Sequence, residues 1–221
     1  MILMFNIFIQ IVLLLGLIIF AAIGGSPSTV DGIVESGFYL ALATFLSGIT
    51  GTALIIWITR YYQGGSFLEY LGLTRISLKQ LGFWLAICVI YLILSDTCTY
   101  LLNRPIVPEY MFNAVKTARF PLLLYIALIV AAPVFEELFF RGFLLKGFSL
   151  SWVKPVGAVV LTSLCWSLLH LQYDWYGILL IFLGGLLYGF ARLRTGSIYV
   201  TIAMHAFQNI VATVETLIMM K

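Results

Sequence analysis

Seven apolar stretches dominate the chain, most of them long enough to span a bilayer as a helix. They run near Met1–Ile23, Phe38–Tyr61, Leu81–Leu102, Phe120–Leu145, Pro155–His170, Tyr176–Leu193 and Ile198–Met220. About 20 mostly apolar residues cross a hydrocarbon core roughly 30 Å thick. Composition agrees, with 62% of residues hydrophobic, 10% charged and a mean hydropathy of +1.09. Soluble domains carry about 25% charged residues, so a water-soluble globule is excluded. The expected fold is all-α, a polytopic transmembrane bundle of about seven spans.

The first stretch reads as a span and not as a cleaved signal. It exceeds the 7–15 residues of a signal h-region, and no Lys or Arg precedes it. No internal repeat or linker divides the chain. One membrane domain is expected, with residues 1–119 forming peripheral N-terminal helices and loops and residues 120–221 forming the core.

Basic residues orient such a bundle, because they collect on the cytoplasmic side. Arg60, Arg75, Lys79, Arg141, Lys146, Lys154, Arg192 and Arg194 fall on one side, against Arg104, Lys116, Arg119 and Lys221 on the other. The spacing predicts N-terminus in and C-terminus out. Topology accounts for the net charge of +3 without a nucleic-acid partner. Cys88, Cys98 and Cys165 lie far apart with no CxxC spacing, which speaks against a disulfide framework or a thiolate zinc site.

Against this background FEELFFRG, from Phe135 to Gly142, is anomalous. A charged side chain near the middle of a span costs about 2.5–3.5 kcal/mol even on the lenient insertion scale. Here Glu136, Glu137 and Arg141 fall within six residues. Glu137 and Arg141 are four apart, so they share a helix face and can pair. Glu136 diverges from Glu137 by about 100° and needs another partner. An acid–base lock between helices is one reading; intramembrane charges mark function more often.

The candidate partners are few. The chain has two histidines, His170 and His205, both within expected spans. In HAFQN, His205 and Asn209 are four apart and share one face; in WSLLH, His170 lies one turn from Trp166. At 1.5 Å per residue, Glu136, His170, His205 and Asn209 fall roughly 13–23 Å from the inner boundary. All four can meet in one layer, and Pro133 can kink the helix and admit water there. A glutamate can act as general base or acid, a histidine can share the proton, and a carboxamide with an imidazole N–H suits an oxyanion. No serine or cysteine has an evident base beside it. Water attack on an acyl group is the economical reading.

These residues resemble the three motifs of the CPBP (CAAX protease and bacteriocin-processing, or Abi) family of intramembrane proteases, EExxxR, FxxxH and HxxxN or HxxxD. The resemblance covers Phe120–Thr213. Glu136, Glu137 and Arg141 match the first motif, His170 the second, and His205 with Asn209 the third; Trp166 stands where the second motif usually has phenylalanine. EYLGL, from Glu69 to Leu73, is similar to a segment often found upstream in the family.

The resemblance implies peptide-bond hydrolysis inside the membrane. Eukaryotic members act on prenylated C-termini, and bacterial members are linked to bacteriocin or peptide maturation and self-immunity. The implied setting is a multi-pass protein of a bacterial cytoplasmic membrane, acting on membrane-associated peptides or proteins. Carried over by position, Glu136 activates water with His170, His205 and Asn209 hold the oxyanion, and Glu137 with Arg141 orders the site.

The family is commonly labelled a metalloprotease. Glu136, His170 and His205 could offer Zn²⁺ three ligands with water as the fourth. There is no HExxH, however, and a carboxamide is a poor zinc ligand, so ligand type favours a metal-free site. Two other classes compete. A proton-coupled transporter would use Glu and His as a relay, but no inverted repeat is visible. A non-catalytic immunity or partner-binding protein would have no need of intact motifs.

Overall fold

The computed structural model describes residues 36–62 and 66–221; the first expected span, Met1–Ile23, lies outside the described residues. Eight helices follow in chain order: α1 (Gly37–Tyr62), α2 (Phe67–Leu71), α3 (Leu78–Leu101), α4 (Glu109–Lys116), α5 (Pro121–Ser149), α6 (Lys154–Leu168), α7 (Trp175–Thr195) and α8 (Ile198–Met219). Among the described residues there are no strands. The described residues are all helix and connecting turns, and the protein is a multi-pass membrane protein. Five helices, α1, α3, α5, α7 and α8, are long and apolar enough to cross a bilayer.

The fifth apolar run, Pro155–His170, behaves differently from expectation. α6 has 15 residues and reaches only about 22 Å. It stops at Leu168, so His170 lies in the turn beyond the helix and not inside a span. That turn delivers the imidazole to the end of the bundle.

Local chemistry explains the helix ends. α3 starts with a capping box, in which Ser77 accepts from the Gln80 N–H and the Gln80 side chain accepts from the Ser77 N–H. Asp174 caps α7 by accepting from the Gly177 N–H at 2.9 Å and pairs with Arg104 at 2.5 Å. Its carboxyl is held below the usual range, first by that backbone hydrogen bond. α5 opens with Pro121 in its first turn, where a missing N–H costs nothing. α2 and α7 end at Gly72 and Gly196, with φ of 74° and 69°, a left-handed conformation open to glycine.

These two glycine turns meet. The Ile198 N–H donates to the Gly72 carbonyl at 2.8 Å, and Thr74 donates to the Gly196 carbonyl at 3.0 Å. Ser197 completes the clasp by donating to the Thr74 carbonyl. The bundle is thus tied at the end where α7 passes into α8.

Packing around the site is tight. Arg141, Trp166, Tyr188, Met204 and Glu137 are among the largest fully buried side chains. α6 and α7 approach closely where Gly185 faces Ser163; a Cβ there would meet the Ser163 Cβ at 2.9 Å and the Trp166 ring at 3.1 Å. α3 lies at the periphery and exposes Phe83, Ile90, Ile93, Leu94 and Leu101. Such a surface suits hydrocarbon and not water.

Candidate active site

The helix that carries both glutamates is not a uniform α-helix. α5 contains two π-helical stretches, Ala127–Ala131 and Leu138–Leu144, which flank Glu136 and Glu137. At the end of the first, the Ala132 N–H bonds the Ala127 carbonyl, five residues back. In that register the next carbonyl, Leu128, faces Pro133, which has no N–H to give. Asn209 of α8 supplies the missing donor, with its Nδ2 at 2.7 Å from the Leu128 oxygen. The proline therefore does more than bend the helix; it leaves an acceptor that anchors a site residue.

Glu137 points into the sealed interior. Its Oε1 accepts from Arg141 Nη1 at 3.0 Å and from His205 Nδ1 at 3.0 Å, and neither Glu137 nor Arg141 is exposed. Arg141 also donates to the Gly185 carbonyl at 3.4 Å, and its guanidinium carbon lies 4.2 Å from the Trp166 ring centroid. A planar guanidinium suits both roles, donating in its plane and stacking on a ring face.

Glu136 has a different setting. It is half-buried, and its Oε2 accepts from the Trp166 indole N–H at 2.6 Å. Glu136, His170, His205 and Asn209 line one cavity of about 170 Å³, along with Leu40 and Thr44 of α1. The sequence places these four polar groups on three apolar runs, and the fold brings them to one space.

Hydrogen-bond chemistry assigns the imidazole protons. His170 Nδ1 lies 2.8 Å from the Trp166 carbonyl. A carbonyl only accepts, so Nδ1 carries the proton and Nε2 keeps its lone pair in the neutral ring. The Glu137 carboxylate likewise holds the proton on His205 Nδ1. Glu136 and Glu137 thus divide the histidines: His205 is bonded to Glu137, while His170 meets Glu136 only through the shared cavity and through Trp166.

The three-ligand zinc arrangement of Glu136, His170 and His205 is not assembled here. Among the described residues, no three His, Cys, Asp or Glu side chains group as metal ligands. His205 Nδ1 is instead bonded directly to Glu137, which is outside that group. As placed, Glu136, His170 and His205 do not form a three-ligand set.

Residues 118–211 match one family model, that of the Rce1-like type II CAAX prenyl endopeptidases. That segment, less than half of the chain, is similar to this family. This agrees with the motif resemblance, and the match takes in Glu136, Glu137, Arg141, Trp166, His170, His205 and Asn209. No curated protein and no solved structure matches the chain. The α1 and α4 residues that line the cavity lie before the Rce1-like segment.

Several site residues carry no clear signal in the sequence. Trp166 was legible only as an aromatic, whereas its N–H binds Glu136. Tyr110 and Tyr173 also line the cavity, and they are 63 positions apart. Leu128 takes part through its backbone, which only the pairing of Pro133 with a π-helical register could have suggested.

Proposed function

We propose that the protein is an intramembrane endopeptidase that hydrolyses peptide bonds of membrane-associated peptides or proteins, with Glu136 as the base. The observation that carries this reading is the cavity in which Glu136, His170, His205 and Asn209 converge while Glu137 stays sealed behind them. Protease chemistry is the activity of the family that the core resembles.

In this reading Glu136 takes a proton from water, and the hydroxide adds to the scissile carbonyl carbon. Trp166 holds Oε2 and leaves Oε1 to receive the proton. His170, with its Nε2 lone pair directed away from the Trp166 carbonyl, relays the proton to the leaving amine. Asn209 spends one amide N–H on Leu128 and keeps a second for the oxyanion. His205, its Nδ1 proton held by Glu137, donates to the oxyanion from Nε2 when that nitrogen is also protonated. Donors fixed before the charge develops need no reorganisation during reaction, which is where their advantage lies. Arg141 neutralises Glu137 and keeps that carboxylate from repelling Glu136.

The test is cleavage by purified protein of an internally quenched peptide ending in a farnesylated CAAX sequence, with and without a chelator. Activity that survives chelation and vanishes in Glu136→Gln is expected. Activity lost on chelation and restored by zinc would replace this mechanism with a metal-dependent one, and full activity of Glu136→Gln would end it.

A further inference from the structure

Two tyrosines outside the sequence motifs face the same cavity. Tyr110, in the first turn of α4, donates its hydroxyl to Tyr173 Oη at 2.6 Å, and the rings meet edge to face with centroids 5.1 Å apart. Tyr173 lies in the turn between α6 and α7, with its ring 6.1 Å from that of His170. Both residues line the space that holds Glu136, His170, His205 and Asn209.

The direction of that hydrogen bond matters. Tyr110 fills a lone pair on Tyr173 Oη, so the Tyr173 proton is not used within the pair. Among the described residues, no hydrogen bond takes that proton. Burial, reinforced by the nearby Glu136 carboxylate, pushes both phenols above their ordinary range. Both are therefore neutral hydroxyls at neutral pH. A hydroxyl that already accepts one hydrogen bond is a stronger donor through its own proton.

We propose that Tyr173 is a substrate-contacting residue whose hydroxyl, aligned by Tyr110, donates to a backbone carbonyl of the bound peptide beside the scissile bond. This rests on the endopeptidase reading above. A neutral O–H suits a neutral amide oxygen, and it leaves Glu136 free, whereas a lysine or arginine there would pair with the base. The donor is also built from two parts of the chain: Tyr173 belongs to the Rce1-like segment, while Tyr110 precedes it. α4 thus takes part in substrate recognition as well as packing.

The experiment uses the full chain and the farnesylated CAAX peptide. Wild-type cleavage that is lost in Glu136→Gln establishes the endopeptidase reading by itself. Against that background, Tyr173→Phe is expected to lower kcat/KM by ~10–100-fold, in line with loss of a polar contact to substrate, at an unchanged melting temperature. Tyr110→Phe, which removes the aligning donor, should lower it by ~3–10-fold. The double variant should be no worse than Tyr173→Phe, since the two act as one unit. Without turnover, uncleaved peptide should bind Glu136→Gln several-fold more tightly than Glu136→Gln/Tyr173→Phe. Wild-type kcat/KM in Tyr173→Phe overturns the proposal while leaving the endopeptidase reading intact. Equal melting-point losses in both single variants, with unchanged peptide binding, overturn it in favour of a purely structural staple. A wild-type chain that leaves the peptide uncut overturns both for this substrate class.

Discussion

Glu136 and Glu137 are neighbours in sequence and occupy opposite worlds. One opens onto a cavity, accepts a hydrogen bond from Trp166 and shares its space with His170 and Asn209. The other is fully enclosed, bonded to Arg141 and His205. About 100° of helical rotation separates a group placed to react from one placed to hold. Adjacent identical residues are thus not redundant, and each should fail in its own way when changed.

The largest effect should come from exchanging each acid for its amide. Glu137→Gln leaves Arg141 buried without its counter-charge, and breaking a buried pair costs about 3–5 kcal/mol in soluble proteins. Its melting temperature in detergent should fall markedly, with activity lost alongside. Glu136→Gln keeps shape and the Trp166 contact, so it should melt like wild type while cleaving at least ~10²–10⁴-fold more slowly. Identical melting curves for the two variants would erase the distinction drawn here.

Asn209→Ala comes next. It removes a proposed oxyanion donor, which costs about 10²–10³-fold in rate, and it also orphans the Leu128 carbonyl, at about 1–3 kcal/mol. Both a rate loss and a modest melting shift are therefore expected. A melting shift with no rate loss would make Asn209 an anchor alone. Trp166→Phe should slow cleavage by roughly 10–100-fold, since a hydrogen bond to a charged group is worth about 1.5–3 kcal/mol. Wild-type cleavage by Trp166→Phe would separate Trp166 from the base.

The smallest effect is expected from Pro133→Ala. The new N–H can reach the Leu128 carbonyl and compete with Asn209 for it. Cleavage should drop a few-fold, with stability level or slightly raised, since a proline inside a helix is otherwise costly. Unchanged cleavage would mean that Asn209 keeps its position without the freed carbonyl.

What the sequence made legible follows from range. The pairing of Glu137 with Arg141 was readable because both lie on one helix, four residues apart. His205 with Asn209 was readable for the same reason. The apolar runs announced the helices because a bilayer demands length and hydrophobicity together. By contrast, α6 ends at Leu168, short of His170, although no glycine or proline in the local sequence marks that stop. Spacing could not say that His205 would bond Glu137 and not Glu136, since that choice depends on how α8 is rotated against α5. The π-helical stretches were hidden as well; a register of five residues is decided by tertiary contacts, and Pro133 was its one local sign.

The turn that carries His170, Gln172 and Tyr173, together with α4, lies at the end of the bundle where α6 stops and α7 begins. The clasp of Gly72, Thr74, Gly196 and Ser197 ties the other end. Chemistry between them would have a direction. The cavity draws its lining from that end, so the compartment on that side would decide which molecules are presented for cutting and where the severed ends are set free.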